Sequence, residues 1–264
     1  MEVSLALTQI KTERDKEKNL QKIKSIIKAS KADAIILPEF SNFYVSDLRP
    51  EEVYKKADTD DSDFLNEIFY FASNSSKWVI LGVYEKSEDF PKTYSTVYVI
   101  GPEGKIRLKY RKTHLFRALG YDESLYLKPS DNGFSVFEIN GIKAGIMICY
   151  EIRFPEIART LALKGAEALI VPSAWLKGYN KEEQWITLAK ARAMENTTYV
   201  LTSNQIDNIY TGITLAVDPL GIIKARASET EETIEVKISR DRLESVRSAL
   251  PLLEQRRPEL YRLQ

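Results

Sequence analysis

Short apolar runs alternate with helical patterns along the chain. Apolar residues in 3–9 and 34–37 predict two strands, and the spacing of the apolar residues from Leu20 to Ile27 predicts a helix between them. The second run is continuously apolar, which is typical of a strand that is covered on both faces. The first 40 residues therefore predict a strand, a helix and a second strand.

The same alternation continues to the end of the chain, without a linker, a low-complexity segment or a short-period repeat. We therefore expect one α/β domain over 1–264, with sheets that helices cover. The tail at 240–264, with apolar residues from Leu243 to Leu263, is predicted to lie at a subunit interface or to pack on its own domain. Further strands are predicted at 78–84, 94–100, 105–110, 134–139, 142–148, 168–171, 199–203, 212–217, 222–227 and 233–238, and further helices at 63–73 and 182–195.

A thiol stands at the end of one predicted strand. An apolar run from Ala144 to Ile148 leads directly into Cys149, and apolar residues then recur at helical spacing from Phe154 to Leu161. The pattern predicts a strand, a sharp turn and a helix. Cys149 would then lie at the carboxyl end of a strand, where α/β sheets expose side chains to a crevice. The alternative is that Cys149 is a small buried hydrophobe, as free cysteines often are.

Composition excludes several classes of protein. The chain has 38 basic and 38 acidic residues, so we expect no nucleic acid and no anionic membrane surface as a partner. Cys149 is the only cysteine and His114 the only histidine, which excludes an internal disulfide and argues against a structural zinc site. No apolar run has the length of a membrane span or the flanks of a signal peptide, and we expect a cytoplasmic protein.

Two more ionisable residues follow predicted strands. Glu39 comes directly after Pro38, and Lys112 follows the strand at 105–110. Because the carboxyl ends of strands share one edge of an α/β sheet, we expect both side chains to converge on Cys149. A buried carboxylate can take a proton from a thiol, and an ammonium can stabilise an oxyanion. Taken singly, Glu39 and Lys112 would each be interpreted as a solvated surface charge. His114 is an alternative to Glu39 as the base that takes the proton of Cys149.

Three segments together resemble the signature sequences of the nitrilase superfamily of carbon–nitrogen hydrolases. They are 37–40 (Leu-Pro-Glu-Phe), 110–116 (Tyr-Arg-Lys-Thr-His-Leu-Phe) and 148–156 (Ile-Cys-Tyr-Glu-Ile-Arg-Phe-Pro-Glu), and they stand in the order that the superfamily carries them. The resemblance runs from about residue 3 to the end of the chain. Shorter likenesses lie at 171–174, 191–196 and 218–221.

The resemblance implies an α-β-β-α sandwich that forms a homodimer or a higher homo-oligomer. It implies a small amide as substrate and neither a metal nor an organic cofactor. In this interpretation Glu39 is the general base and Cys149 the nucleophile, and Lys112 stabilises the oxyanion together with the backbone N–H of Tyr150. Glu123 best matches a second glutamate that the family commonly carries in the loop after the lysine.

The segment 149–154 is similar to the branch that contains the ω-amidases and the deaminated-glutathione amidases. This similarity implies an ω-amide of a dicarboxylic acid, hydrolysed through a cysteine thioester with release of ammonia. Arg153 is predicted either to bind a substrate carboxylate or to pair with Glu151 or Glu156. Glu151 replaces an aspartate that is common in that branch. The candidate substrate-binding residues are Tyr44, Arg153, Ala174 and Trp175.

Other functions remain open at this point. An N-carbamoyl-amine or N-carbamoyl-amino-acid amidohydrolase, or a nitrilase, would use the same three residues. A cysteine hydrolase of another kind would pair Cys149 with His114, at a position that the resemblance marks as usually structural. A catalytically silent binding subunit with the same fold would need none of this chemistry.

Overall fold

The computed structural model describes residues 1–45, 47–207 and 209–261. Its strands are β1 (Glu2–Gln9), β2 (Ala34–Ile36), β3 (Trp78–Lys86), β4 (Thr93–Ile100), β5 (Ile106–Arg111), β6 (Arg117–Ala118), β7 (Tyr121–Asp122), β8 (Val136–Ile139), β9 (Ile142–Ile146), β10 (Ala168–Ser173), β11 (Tyr199–Asn204), β12 (Leu215–Val217), β13 (Ile223–Arg226) and β14 (Glu232–Ser239). Its α-helices are α1 (Lys16–Ala29), α2 (Pro50–Lys56), α3 (Asp63–Ser75), α4 (Pro155–Leu163), α5 (Lys181–Asn196) and α6 (Arg240–Ala249). Short 3₁₀ helices span Glu123–Leu125, Cys149–Arg153 and Pro258–Leu260.

Two six-stranded sheets share one layout. The first has the order β14-β1-β2-β3-β4-β5 and the second the order β13-β12-β11-β10-β9-β8. In each sheet three neighbouring strands are parallel, namely β1-β2-β3 and β9-β10-β11, and the flanking strands are antiparallel. Parallel strands need covered faces, which explains why 34–37 and 168–171 are continuously apolar.

Helices cover the outer face of each sheet. Ile23 of α1 and Ile68 of α3 share a buried cluster with Ile35 of β2 in the first sheet. A second cluster joins Leu161 of α4 to the strands of the second sheet, and it also contains Leu7 of β1. Removal of these apolar side chains from water drives the layers together. The result is the α-β-β-α sandwich that the resemblance implied, so this prediction is confirmed. In the described part of the chain, every helix is too short or too polar to span a membrane.

The prediction that Glu39, Lys112 and Cys149 meet at one edge of a single sheet is only partly correct. Glu39 follows β2 and Lys112 follows β5, and both strands belong to the first sheet. Cys149, in contrast, follows β9 of the second sheet. The three residues therefore come from matching ends of two facing sheets, because strands of both halves end at the same side of the sandwich.

Two regions differ from the sequence prediction. The pattern did not predict α2, because a helix of seven residues is too short to show an apolar period. The segment 117–130, for which the sequence predicted neither a strand nor a helix, contains the two-stranded ribbon of β6 and β7 and the 3₁₀ helix Glu123–Leu125. These short elements are fixed by tertiary contacts rather than by local sequence.

The predicted apolar tail divides into two parts. Leu243 and Val246 of α6 are buried, and Leu243 belongs to the core cluster of the same domain. Beyond the helix, Leu250 is 43% exposed and Leu260 is 65% exposed. The first part thus packs on its own domain, and a subunit contact by the second part stays a prediction. Leu263 lies outside the described residues.

A buried carboxylate joins two segments that carry site residues. Glu151 accepts hydrogen bonds from the backbone N–H groups of Ile148 and Thr113, each at 2.7 Å, and from the Thr113 hydroxyl at 2.7 Å. The hydroxyl of Tyr110 also donates to it, at 2.9 Å. These bonds fix the segment after β5, which carries Lys112, against the turn after β9.

We expect Glu151→Gln to lower the free energy of unfolding by about 2–4 kcal/mol, because an amide nitrogen would face groups that are themselves donors. Glu156→Gln is the matched control, since Glu156 is exposed on the adjacent helix. Urea unfolding followed by circular dichroism measures both variants. Equal stability of the two variants would contradict this role of Glu151.

Strand β3 passes very close to the backbone that carries Glu39. A Cβ atom on Gly82 would lie 2.5 Å from the carbonyl oxygen of Pro38 and 2.7 Å from the Cα of Glu39. The N–H of Ser41 donates to the carbonyl oxygen of Gly82 at 2.7 Å, which holds this segment on the strand. Only a residue without a side chain fits between β3 and Glu39.

We expect Gly82→Ala to lower the free energy of unfolding by about 1–3 kcal/mol, because the added methyl group must push the backbone of Glu39 away from β3. Gly133→Ala is the control, since a Cβ atom there would meet nothing within 4 Å. Thermal unfolding of both variants measures the difference. A Gly82→Ala variant as stable as Gly133→Ala would show that the close approach has no structural effect.

Candidate active site

A cavity of about 250 Å³ lies where the two sheets end. Its walls are largely aromatic, and a few polar side chains converge on it, which is typical of a small-molecule site. Predicted site residues that line it are Glu39, Tyr44, Glu123, Cys149, Tyr150, Ala174 and Trp175. Other aromatic wall residues are Phe40, Tyr84, Phe116, Tyr121, Tyr126 and Tyr210.

Next to the cavity, a fully buried ammonium lies between two carboxylates. The Nζ atom of Lys112 is 3.0 Å from Glu39 Oε1 and 3.0 Å from Glu123 Oε1. Burial acts to lower the pKa of Lys112, but the charges of Glu123 and Glu39 outweigh it and raise this pKa well above its ordinary value. Lys112 therefore carries a fixed positive charge at neutral pH.

The carboxylate of Glu39 is held from several sides. Its Oε1 atom accepts a hydrogen bond from the Ser95 hydroxyl at 2.9 Å, and its Oε2 atom accepts one from the backbone N–H of Ala174 at 3.2 Å. The side-chain amide of Gln205 donates to the backbone carbonyl of Glu39 at 2.7 Å. Sequence reasoning missed Ser95 and Gln205. The available signals were a polar side chain within the predicted strand at 94–100 and another two residues after the predicted strand at 199–203.

Glu123 lies in the same cluster although it comes from a different element. It begins the 3₁₀ helix after β7, and the backbone N–H of Phe116 donates to its Oε2 atom at 2.7 Å. Burial raises the pKa of Glu123, and the charge of Glu39 adds to this effect, while Lys112 offsets part of it. Among the described residues, no group of three or more His, Cys, Asp or Glu side chains could hold a metal ion. The cation between these carboxylates is Lys112.

Cys149 faces the cavity from the second sheet. It is 8% exposed and has a φ of +47°, in the left-handed region that costs a non-glycine residue about 1–3 kcal/mol. Burial raises the pKa of the Cys149 thiol well above its ordinary value, the charge of Glu39 raises it further, and Lys112 and the N–H of Ala174 lower it. Cys149 thus stays a thiol at neutral pH, and it needs a base before it can attack.

One backbone N–H group connects the base candidate and the thiol. The N–H of Ala174 donates to Glu39 Oε2, and the same N–H lowers the pKa of the Cys149 thiol. Glu39 and Cys149 both line the cavity. Tyr150, the second residue of the 3₁₀ helix that begins at Cys149, lines the cavity beside them.

Arg153 does not line the cavity, and its binding of a substrate carboxylate stays a prediction. Its guanidinium donates to Gln184 Oε1 at 2.7 Å and lies 4.6 Å from the centre of the Trp175 ring. Within the described residues, neither Glu151 nor Glu156 lies at ion-pair distance from it. Its observed partners are therefore Gln184 and the Trp175 ring.

His114 is also outside the cavity wall. Its ring packs on Phe154 with centroids 4.2 Å apart, and its Nδ1 atom is 2.7 Å from the hydroxyl of Thr113. The chain leaves β5 at Arg111, so the side chains of Lys112 and His114 do not follow the alternation of an extended strand. The geometry offers Cys149 a carboxylate rather than an imidazole.

Sequence reasoning missed one charged wall residue. Lys181 is 4% exposed, begins α5 and lines the cavity. Its Nζ atom lies 4.3 Å from the centre of the Trp175 ring and 5.3 Å from that of Phe116. In the sequence it stands in a polar segment among other charged residues, where nothing distinguishes it from a surface lysine.

Comparisons with known proteins identify the family of the chain. The family model described as carbon–nitrogen hydrolase matches residues 4–248. The omega-amidase NIT3 of Saccharomyces cerevisiae is 32% identical over 281 residues, which cover 98% of this chain and 94% of the relative. The deaminated glutathione amidase of Escherichia coli O157:H7 is 38% identical over 154 residues, which cover 58% of this chain and 59% of the relative.

Solved structures are similar as well. The crystal structure of Saccharomyces cerevisiae Nit3, a member of branch 10 of the nitrilase superfamily, has a TM-score of 0.85 and 30% identity, with 97% of each chain covered. That of the C. elegans NitFhit protein has a TM-score of 0.92 and 27% identity, with 98% of this chain and 66% of that chain covered. The chain therefore belongs to the carbon–nitrogen hydrolase family of the nitrilase superfamily and is a hydrolase of carbon–nitrogen bonds other than peptide bonds.

Proposed function

We propose that this protein hydrolyses an ω-amide of a dicarboxylic acid through a thioester on Cys149 and releases ammonia. The observation that supports this most directly is the cavity that Glu39 and Cys149 line together, beside a buried Lys112 that is paired with two carboxylates. The omega-amidase and the deaminated glutathione amidase among the relatives support an amide as the substrate class.

In this proposal Glu39 moves the protons. The Cys149 sulfur attacks the amide carbon, and its proton passes to Glu39. The tetrahedral intermediate then collapses, the carbon–nitrogen bond breaks, and Glu39 gives the proton to the leaving nitrogen. Water next attacks the thioester carbon and loses a proton to Glu39. The carbon–sulfur bond breaks, the proton returns to the sulfur, and the carboxylic acid leaves.

Lys112 supplies the positive charge that the intermediate needs. An oxyanion forms twice, once in each half of the reaction, and a buried ammonium stabilises it without any rearrangement of solvent. Because the pKa of Lys112 is raised, the charge is present over the whole neutral range. The backbone N–H of Tyr150 is the second proposed donor, since this residue follows the nucleophile and lines the cavity.

Glu123 positions Lys112 rather than reacting itself. Its carboxylate accepts a second hydrogen bond from the ammonium that Glu39 also binds, and the N–H of Phe116 fixes the carboxylate in turn. Without this second carboxylate, Lys112 would pair with Glu39 alone and would hold the base more tightly.

The function is tested by ammonia release from succinamate. We expect turnover by the wild type and a loss of at least about 10³-fold in Cys149→Ala, because this variant lacks the proposed nucleophile. Mass spectrometry of the quenched wild type should detect the succinyl thioester on Cys149.

Two outcomes would point to a different function. Loss of activity in a folded His114→Asn variant would favour a dyad of Cys149 with His114, whereas our proposal expects substantial turnover. Absence of ammonia from ω-amides, carbamoyl amines and nitriles alike would favour a silent binding subunit.

We expect Glu123→Gln to lower kcat/KM about 10²-fold, because the ammonium loses its second anchor. The charge of Glu123 raises the pKa of Lys112, so its removal lowers that pKa. If protonated Lys112 is required, the alkaline limb of the kcat/KM profile should move to lower pH. Glu138→Gln, at an exposed position of β8, is the control. An unchanged pH profile in Glu123→Gln would contradict this positioning role.

A further inference from the structure

We propose that Lys181 binds the anionic end of the substrate, so that this protein prefers amides with a carboxylate to neutral amides of the same length. The inference rests on the proposed amide hydrolysis and adds a residue that determines specificity. Lys181 and Cys149 line the same cavity, so one small ligand can reach both.

Lys181 is a buried cation without an anionic partner in the described part of the chain. Burial of a charge is unfavourable unless the charge is paired, and the other buried lysine here, Lys112, has two carboxylates. The contacts of the Lys181 ammonium are the ring faces of Trp175 and Phe116. Cation–π contacts compensate only part of the lost hydration, so an anion in the cavity would be favourable.

The position of Lys181 is fixed before any ligand binds. The indole N–H of Trp175 donates to the carbonyl oxygen of Lys181 at 2.9 Å, and the Lys181 N–H donates to the carbonyl oxygen of Gly178 at 3.2 Å. The same indole ring also lies against the ammonium. A residue held in this way loses little freedom on binding, which favours affinity.

Charges around the cavity also favour an anion at this place. Arg153 lies against the same Trp175 ring as Lys181, so two cations lie around one indole. Burial lowers the pKa of Lys181, the charge of Arg153 lowers it further, and a charge on Cys149 would raise it. The carboxylates of Glu39 and Glu123 are already paired with Lys112. A ligand carboxylate is therefore the group that would balance this end of the cavity.

The walls next to Lys181 suit an apolar chain between two polar ends. Phe116 contacts Tyr150 edge-on with centroids 5.1 Å apart, and both Phe116 and Trp175 lie against the ammonium. A substrate with its amide at Cys149 and its carboxylate at Lys181 would place methylene groups against these rings. This is the shape of a short ω-amide of a dicarboxylic acid.

The test compares succinamate with butanamide, a neutral amide of the same chain length. We expect Lys181→Met to lower the ratio of kcat/KM for succinamate to that for butanamide about 10–100-fold, through KM, because a charged hydrogen bond is lost. Lys181→Arg should retain most of the ratio. Lys177→Met, at an exposed position four residues earlier, is the control and should leave the ratio unchanged. A ratio that Lys181→Met leaves unchanged, whether both activities fall equally or neither falls, would overturn the inference.

A binding measurement separates this inference from the proposed function. Calorimetric titration of succinate into Cys149→Ala and into Cys149→Ala with Lys181→Met needs no turnover. Weaker binding to the double variant supports the anion site even if the wild type hydrolyses neither amide, in which case the proposed function fails by itself. Absence of succinate binding, or equal affinity of both variants, would overturn the role of Lys181.

Discussion

The ammonium of Lys112, buried between two carboxylates, is the constraint around which this end of the molecule is arranged. A lone charge cannot be buried without a large penalty, so Glu39 and Glu123 must come to Lys112 from other parts of the chain. The three residues belong to three different elements. Each carboxylate is therefore fixed by its own additional donor, the hydroxyl of Ser95 for Glu39 and the N–H of Phe116 for Glu123.

Packing of the two sheets brings the sulfur to this cluster. Cys149 belongs to the second sheet, and its distance to Glu39 is set by contacts between the sheets rather than by pairing within one. Buried hydrogen bonds hold the sheets in register at this end. The hydroxyl of Ser203 donates to the carbonyl oxygen of Thr8 at 2.6 Å. The side-chain amide of Gln205 donates to the backbone carbonyl oxygen of Glu39 at 2.7 Å. The sandwich is thus a condition for the chemistry and not only a support for it.

The cavity separates charge into two regions. Glu39, Lys112 and Glu123 form one region beside the sulfur, and Lys181 lies in the other, against aromatic rings. The walls next to that ammonium are apolar and offer a ligand few hydrogen bonds. Selection among amides in our proposal therefore depends on the charge of the far end of the ligand more than on its shape. Arg153, which the sequence suggested for this purpose, lies outside the cavity wall, 4.6 Å from the centre of the Trp175 ring.

The sequence by itself determined the alternation of strands and helices, because the apolar period of each long element is local. It also indicated Glu39, Lys112 and Cys149, since each stands where an apolar strand ends, and the resemblance added Glu123 and the sandwich. Short elements such as α2, and the partners of single side chains, depend on contacts between distant segments. Ser95, Gln205 and Lys181 look like ordinary polar residues in the sequence, and the contacts of Arg153 with Gln184 and of His114 with Phe154 could not be read from it. Only the packing of one sheet on the other decided which side chains share a cavity, because burial and proximity belong to the folded chain as a whole.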